Sequence, residues 1–282
     1  MLSLVSSNHQ KGMRISILAD NRAVDPKRFR TEHGLAVLLQ TAGRQILLDT
    51  GASDAFLLNA EQMGIDLSAV DYVFLSHGHA DHTGGLSAFL QVNKKAKVIV
   101  SAAAVNGSFF SSKGVLHSIT ARWPLEEMEG RTMYVGQTEE LSEGLGVIAS
   151  IPQNHPLPKG DRNLLIQKDG KYCPDTFDHE MALYVDGFLF TGCAHNGLEN
   201  ILDACPWPIS VVLGGFHLLD SQGVNTYESE EELNSLASLL MENYPKTTFY
   251  TSHCTGDIVF QTLKSLMGEH LQHFYCGDQF EI

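Results

Sequence analysis

The sequence predicts an α/β protein folded as one large domain, and three observations support that prediction. Segments of strand pattern alternate with segments of helical pattern from residue 13 onward. The 282 residues are 43% apolar, enough to fill a core of that size. Only 18% are charged, which argues against long disordered stretches.

The elements follow in order. Residues 1–12 read as a loose lead-in, and Met13–Ala19 alternates as a strand. Asp20–Thr31 contains Pro26 and four basic residues. Its length suits a loop that serves a site better than one that merely connects. Leu35–Gln40 and Gln45–Asp49 are strands joined by the turn Thr41-Ala42-Gly43-Arg44. Asp54–Met63 carries alanine, leucine and phenylalanine at helical spacing, and Gly64 ends it. Val70–Leu75 is the next strand, Leu86–Leu90 is helical, and Lys97–Ser101 is again a strand.

Residues 106–180 hold Pro124, Pro152, Pro156, Pro158 and Pro174 and few periodic runs. They read as short strands near Thr132–Val135 and Gly146–Ile148, with loops forming the walls and lid of a pocket. Beyond them, Ala182–Phe190 reads as one strand, Glu199–Ala204 as a short helix and Ile209–Leu213 as a strand. Glu230–Asn243 is an amphipathic helix with a capping-box pattern, Ser229 and Glu232. Thr247–Thr251 is a strand, Asp257–Met267 a helix and His273–Cys276 a final strand. Two halves, each with strands and helices, divide within 106–180.

Nineteen basic against 33 acidic residues give a formal net charge of −14. That excludes non-specific nucleic-acid binding, which needs positive charge. Five scattered cysteines, at 173, 193, 205, 254 and 276, show no disulfide framework and suit a reducing compartment. The first residues lack the basic start and long apolar run of a signal peptide. No apolar run is long enough to span a bilayer. The expectation is a cytoplasmic protein with no membrane or nucleic-acid partner; oligomeric state is left open.

Residues 76–85, Ser-His-Gly-His-Ala-Asp-His-Thr-Gly-Gly, carry the functional signal. The strand Tyr72-Val73-Phe74-Leu75 leads straight into them. Side chains two apart in an extended segment point the same way, so His77 and His79 converge. Asp81 and His82 lie at the turn and can face a second point nearby. Imidazole and carboxylate suit zinc, iron or manganese. The spacing predicts two cations side by side.

This decapeptide resembles the signature of the metallo-β-lactamase superfamily. Ile46-Leu47-Leu48-Asp49-Thr50-Gly51 resembles the strand and acid that precede it. Glu32-His33-Gly34-Leu35, Thr191-Gly192-Cys193-Ala194-His195, Gly214-Gly215-Phe216-His217-Leu218 and Ser252-His253-Cys254-Thr255-Gly256 are similar to one branch of that superfamily. That branch includes the dihydropterin–ribofuranosylaminobenzene phosphate synthase and bacterial relatives, and the likeness covers about residues 13–282. It implies an αβ/βα sandwich, two mixed sheets face to face with helices outside. It also implies a late metal ligand, for which His253 is the match. At the usual bridging acid this chain has Cys193. His195 is the favoured ligand there, with Cys193 open between supporting group and weak ligand or bridge. His155 and His179 are left open as further ligands. Asp49 is expected to hold a ligand histidine, and His217 to line the pocket, with Gly214 and Gly215 letting backbone approach substrate.

Bound cations would lower the pKa of water to about 7 and clamp both the attacking and the leaving oxygen. The expected function is hydrolysis of a small phosphoester or related ester or amide. Zinc is the first choice of metal, manganese and iron the alternatives, and Asp81 the proton-handling group. The branch resemblance supports a second reading, a transferase that displaces pyrophosphate from a pterin-like, phosphate-containing substrate. A di-iron redox protein and a non-catalytic metal sensor are weaker alternatives.

Overall fold

A computed structural model describes residues 12–221 and 225–282. The expected lead-in at 1–12, except Gly12, lies outside them. The first strands are β1 (Arg14–Ala19), β2 (Ala36–Gln40), β3 (Gln45–Leu48), β4 (Tyr72–Phe74) and β5 (Lys97–Val100). The middle region adds β6 (Phe109–Ser111), β7 (His117–Ser118), β8 (Thr132–Tyr134), β9 (Glu139–Ser142), β10 (Leu145–Ile148), β11 (Leu164–Lys168) and β12 (Lys171–Pro174). The last third contributes β13 (Ala182–Val185), β14 (Phe188–Gly192), β15 (Val211–Gly214), β16 (Asp220–Ser221), β17 (Asn225–Thr226), β18 (Thr248–Thr251), β19 (Leu271–His273) and β20 (Gln279–Glu281).

Two large sheets have the orders β20-β1-β2-β3-β4-β5-β8 and β19-β18-β15-β14-β13-β10-β9. Both follow one plan. Counted from β20 or from β9, three antiparallel pairs are followed by three parallel pairs. The halves divide between β8 and β9, inside the predicted 106–180 window.

The alternation of strand side chains explains the layers. Ile15, Ile17, Val37, Leu39 and Leu48 face the other sheet and meet Val147, Leu183, Val185, Phe188 and Phe190 in one core. Leu18, Leu38, Leu47, Val73 and Val98 face outward against helices Ala55–Gln62 and Leu86–Val92. Helices Glu230–Asn243 and Asp257–Met267 cover the second sheet in the same way. The result is the αβ/βα sandwich. The Ser229–Glu232 capping box is formed, so both ends of that side-chain exchange begin the helix where the sequence placed it.

Three expectations need correction. Ala182–Phe190 is a hairpin, β13 and β14, because Asp186 and Gly187 both take positive φ (45° and 99°) and reverse the chain. The last strand of the second sheet is Leu271–His273, ending before Phe274. The chain then crosses back, and β20 pairs with β1 in the first sheet. Finally, Gly214 and Gly215 serve packing: a Cβ on Gly215 would sit 2.3 Å from Cys254 Sγ, and one on Gly214 would sit 2.2 Å from Thr191 Oγ1.

Beside the two large sheets, a small sheet ordered β12-β11-β6-β7 comes from the proline-rich middle segment. Its residues wall a cavity of about 500 Å³ at the strand ends. Among the described residues, no helix is long and apolar enough to cross a membrane.

Candidate metal centre

The chemistry-bearing side chains sit in loops at the C-terminal ends of parallel strands, where crevices open in such sheets. Asp49 follows β3, the histidine motif follows β4, Cys193 and His195 follow β14, His217 follows β15, and His253 follows β18. The backbone at these loops is forced. Asp49, Ala194, His217 and His253 all have positive φ, from 47° to 58°. Non-glycine residues adopt that region only when surroundings hold them there. Gly84 and Gly85 are required for another reason. A Cβ at either would lie 2.2 Å from a carbonyl oxygen, of Ala52 or Thr50.

Four turns bring the candidates together. His77, His79 and His195 offer ligand atoms within 4.8 Å of one another. Their Nε2 atoms are buried and lack hydrogen-bond partners. Leaving such a group unpaired costs about 1–3 kcal/mol, so three facing one point imply a ligand. The other nitrogens are spoken for in two of the three. His195 Nδ1 donates to Asp161 Oδ1 at 2.7 Å. His77 Nδ1 donates to Ser76 Oγ at 2.8 Å, and that hydroxyl donates to Asp49 Oδ2 at 2.7 Å. Both Nε2 lone pairs are thereby aimed inward. Burial, followed by the neighbouring imidazoles, holds His77 and His195 well below the usual histidine range. Burial first and His179 second lower His79 to about 3.

A second group lies beside the first. His82 Nδ1 donates to Asp49 Oδ2 at 2.6 Å, and His82 Nε2 is 3.1 Å from His253 Nε2. Asp81 Oδ2 lies 3.6 Å from His253 Nε2 and 3.7 Å from His82 Nε2. Burial would lower His253, but its bond to Asp81 and nearby Cys254 outweigh that and hold it up to about 9. Burial would raise Asp81, yet His82 and His253 hold it far below the carboxylate range, so it stays ionised. Asp81 and His82 occupy a short helix, Ala80–Thr83, rather than an open turn.

Cys193 stands between the groups. Its sulfur is 3.0 Å from His82 Nε2 and clusters both with His77 and His82 and with His195 and His217. Cys193 and His195 converge through the left-handed turn at Ala194, not through strand alternation, since β14 ends at Gly192. Cys254 is a second thiol in the same place. Burial and then Cys254 raise Cys193; burial would raise Cys254 also, but contacts with Cys193 and His217 hold it well below the thiol range.

The remaining expectations divide. His217 lines the cavity, with Nε2 3.4 Å from Asp161 Oδ1. His179 is buried but both its nitrogens are used, by Gly78 N at 3.1 Å and Asp175 at 3.2 Å; it braces the motif loop. His155 points away, to Asp203 at 2.8 Å. The Asp20–Thr31 loop does serve the site. Asp20 accepts from His253 N and Ser252 Oγ, and Asn21 meets His253 Nδ1 at 3.1 Å. Sequence reasoning missed Asp161, Glu180, Ser76 and the role of His33. Glu180 accepts the backbone N–H groups of His195 and Asn196 at 2.7 Å each. Burial pushes Asp161 up to about 10 and Glu180 to about 7. His33 stacks on His253 at 5.0 Å. None of these has a ligand-like spacing; only Ser76 adjoins the motif.

Strand-end imidazoles and carboxylates at the mouth of an αβ/βα sandwich define a class of metal-binding α/β proteins. The profile of the metallo-beta-lactamase superfamily matches residues 30–172, half of the chain, and the chain belongs to that superfamily. Members of it generally bind divalent metals. An uncharacterised protein of Methanocaldococcus jannaschii is 28% identical, with 93% of this chain and 96% of that one covered. From the same organism, 7,8-dihydropterin-6-methyl-4-(beta-D-ribofuranosyl)-aminobenzene-5'-phosphate synthase is 25% identical, with 93% of each chain covered. A crystal structure of a metal-dependent hydrolase of the beta-lactamase superfamily aligns with TM-score 0.78 at 28% identity, covering 96% of this chain and 99% of that one.

Proposed function

We propose that the protein is a metal-dependent hydrolase acting on a small phosphoester or related ester or amide. The observation that carries this reading is the trio of buried, unpartnered Nε2 atoms of His77, His79 and His195 beside a second group of donors. The donor set fits divalent cations: neutral imidazoles for one, and Asp81, His82 and His253 for another. Cys193 would lie between them, as a bridge or a supporting thiol. Zinc is the first choice because a thiol stands among the donors; manganese and iron remain alternatives. Such cations supply Lewis acidity and water of lowered pKa.

The chain's own residues would do the rest. Asp49 holds His82 directly and His77 through Ser76, and Asp161 holds His195, so the ligand rings cannot turn. Asp81 lines the cavity as an ionised carboxylate and would orient the attacking water by accepting its hydrogen bond. His217 would contact substrate from the cavity wall. The free thiols suit work in the reducing cytoplasm.

A second reading is a transferase in which the same donors stabilise a departing pyrophosphate. It rests on the 25% identity to the synthase across 93% of both chains. One experiment separates the outcomes. Elemental analysis of protein purified without added metal should find close to two equivalents of zinc, manganese or iron. A screen of phosphodiesters, phosphomonoesters, lactones and thioesters should reveal turnover that a chelator removes. Metal-free protein that gains no activity on reloading would reject both readings.

A further inference from the structure

We propose that a second cavity, behind the wall that carries His217, is a binding site for an organic cation: a primary amine on an apolar body, its ammonium donating to Glu228. The site stands apart from the metal centre and does not depend on the function proposed for it.

This cavity, of about 480 Å³, is bounded by segment 156–159, the start of helix Leu198–Ala204 and the first turns of helix Glu230–Asn243. Its volume lies within the range for small-molecule ligands. One wall is shared with the first cavity. His217, Leu219 and Tyr227 line the first, whereas Phe216, Leu218 and Glu228 line the second.

Glu228 is the residue that points to a ligand. It is only 8% exposed. Its Oε1 accepts the Lys159 backbone N–H at 2.7 Å, while Oε2 is buried and has no hydrogen-bond partner. A buried carboxylate normally gathers a cation or several donors, and an orphaned oxygen costs free energy. Lys159, the lysine of this lining, gives its ammonium to Glu232 at 2.6 Å instead.

The other acids of the lining need no ligand to explain them. Glu231 and Glu232 lie in the first turn of their helix and Glu199 in the first turn of its own, where the macrodipole favours negative charge. Glu228 precedes the cap residue Ser229 and has no such account. Together, four carboxylates face one ammonium in the lining, so an anion is repelled and a cation drawn in.

The rest of the cavity is apolar, with Leu157, Leu198, Phe216, Leu218, Leu233 and Leu236. That combination selects among cations. A calcium ion takes six to eight oxygen ligands and would leave the apolar bed uncovered. An ammonium on an alkyl or aryl body gives Oε2 a charge-assisted hydrogen bond and covers the leucines as well.

The test is calorimetry on the full chain as purified, repeated after chelation. An amine held at Glu228 binds equally in both, whereas one coordinated to a metal binds only in the first. The probes are n-alkylamines from butyl to octyl, the alkanols of matching length and the matching alkyltrimethylammonium ions. Wild type should bind one amine at least about tenfold tighter than its alkanol, as a hydrogen bond to a charged group predicts. It should also prefer that amine to the trimethylammonium ion, which has no N–H to donate. Glu228→Gln keeps an acceptor for the Lys159 N–H but removes the charge. It should weaken amine binding by about tenfold and leave alkanol binding unaltered. Ser235→Trp, at an exposed position of the lining, should block both probes by filling the space, and it decides the matter if Glu228→Gln does not fold. Equal affinity for amine and alkanol, amine binding unchanged in either variant, or calcium displacing the amine would overturn the proposal.

Discussion

The two donor groups of the centre differ in how they stand when alone. In the inner group, His77, His79 and His195 leave their Nε2 atoms unpaired, and burial keeps the rings neutral. In the outer group, Asp81, His82 and His253 satisfy one another, and His253 is held up to about 9. The inner group is therefore a rigid, deprotonated cradle whose alternative to a cation is an unmet polar cost. The outer group has an alternative, an internal hydrogen-bonded arrangement that any bound cation would have to displace. Two donor groups that share the β4 loop would thus differ in cation affinity through what their side chains do when free.

The largest expected effect comes from breaking the cradle. His195→Ala should remove the inner cation and reduce turnover by more than about 100-fold, since even a supporting group is worth ~10–100-fold. Elemental analysis beside kinetics checks it; retained metal and activity would remove the distinction between the groups.

Next in size are the carboxylates behind the rings. Asp49→Asn should weaken both groups, because Asp49 reaches His82 directly and His77 through Ser76. Asp161→Asn should weaken the inner group, through His195. Each loss in metal affinity should be about 10–100-fold. Chelator competition will read them, and an Asp161→Asn effect confined to the second equivalent would contradict the assignment of His195.

The pH dependence sharpens the comparison. His253 must release a proton to bind a cation, so affinity for the second equivalent should rise by about tenfold per pH unit below about 9. The first equivalent should be flat across neutral pH, because His79 is lowered to about 3. Metal-free stability should show opposite signs. The raised His253 contributes stability fully present below the ordinary 6.5 and lost as pH rises through about 9. The lowered His79 needs its neutral form, and its contribution is lost as pH falls from 6.5 toward about 3. Identical pH profiles for both equivalents would show that the groups are not distinct.

Cys193→Ser is expected to change activity only a few-fold and to leave the first cation bound. Selective loss of the second cation would instead identify the thiol as its ligand. The smallest effect should be His155→Ala, which removes a partly exposed pair with Asp203. Stability should change by no more than about 1 kcal/mol, as for exposed pairs generally, with metal content unaltered.

What the sequence revealed depended on distance along the chain. Asp81 and His82 sit within six residues of His77, so one loop displays most of the first half's contribution. The second half reaches the same point from three loops, after β14, β15 and β18, and only likeness to a family joined them. Asp161 could not be found that way: it lies in a short turn, Lys159–Asn163, with no spacing to mark it, and its role follows from a contact with a residue 34 positions later. Local rules worked where structure is local. The Ser229–Glu232 box marked its helix correctly. The Asp186-Gly187 turn signal was present but hidden in an unbroken apolar run, and β13 and β14 were merged. The return of β20 to the first sheet is a long-range pairing that no window of sequence displays.

That return has a consequence for how the chain matures during synthesis. The loop after β4 leaves the ribosome long before residue 195, so a nascent chain exposes the three imidazoles of His77, His79 and His82 and the carboxylate of Asp81 with no further wall around them. The inner cradle closes only when β14 and its turn arrive, and β1 keeps an unpaired edge until β20, the last of the described strands, zips onto it. Closure of the inner group and protection of the β1 edge are therefore late events, and the early half must keep its polar loop and open strand edge from wrong partners while it waits.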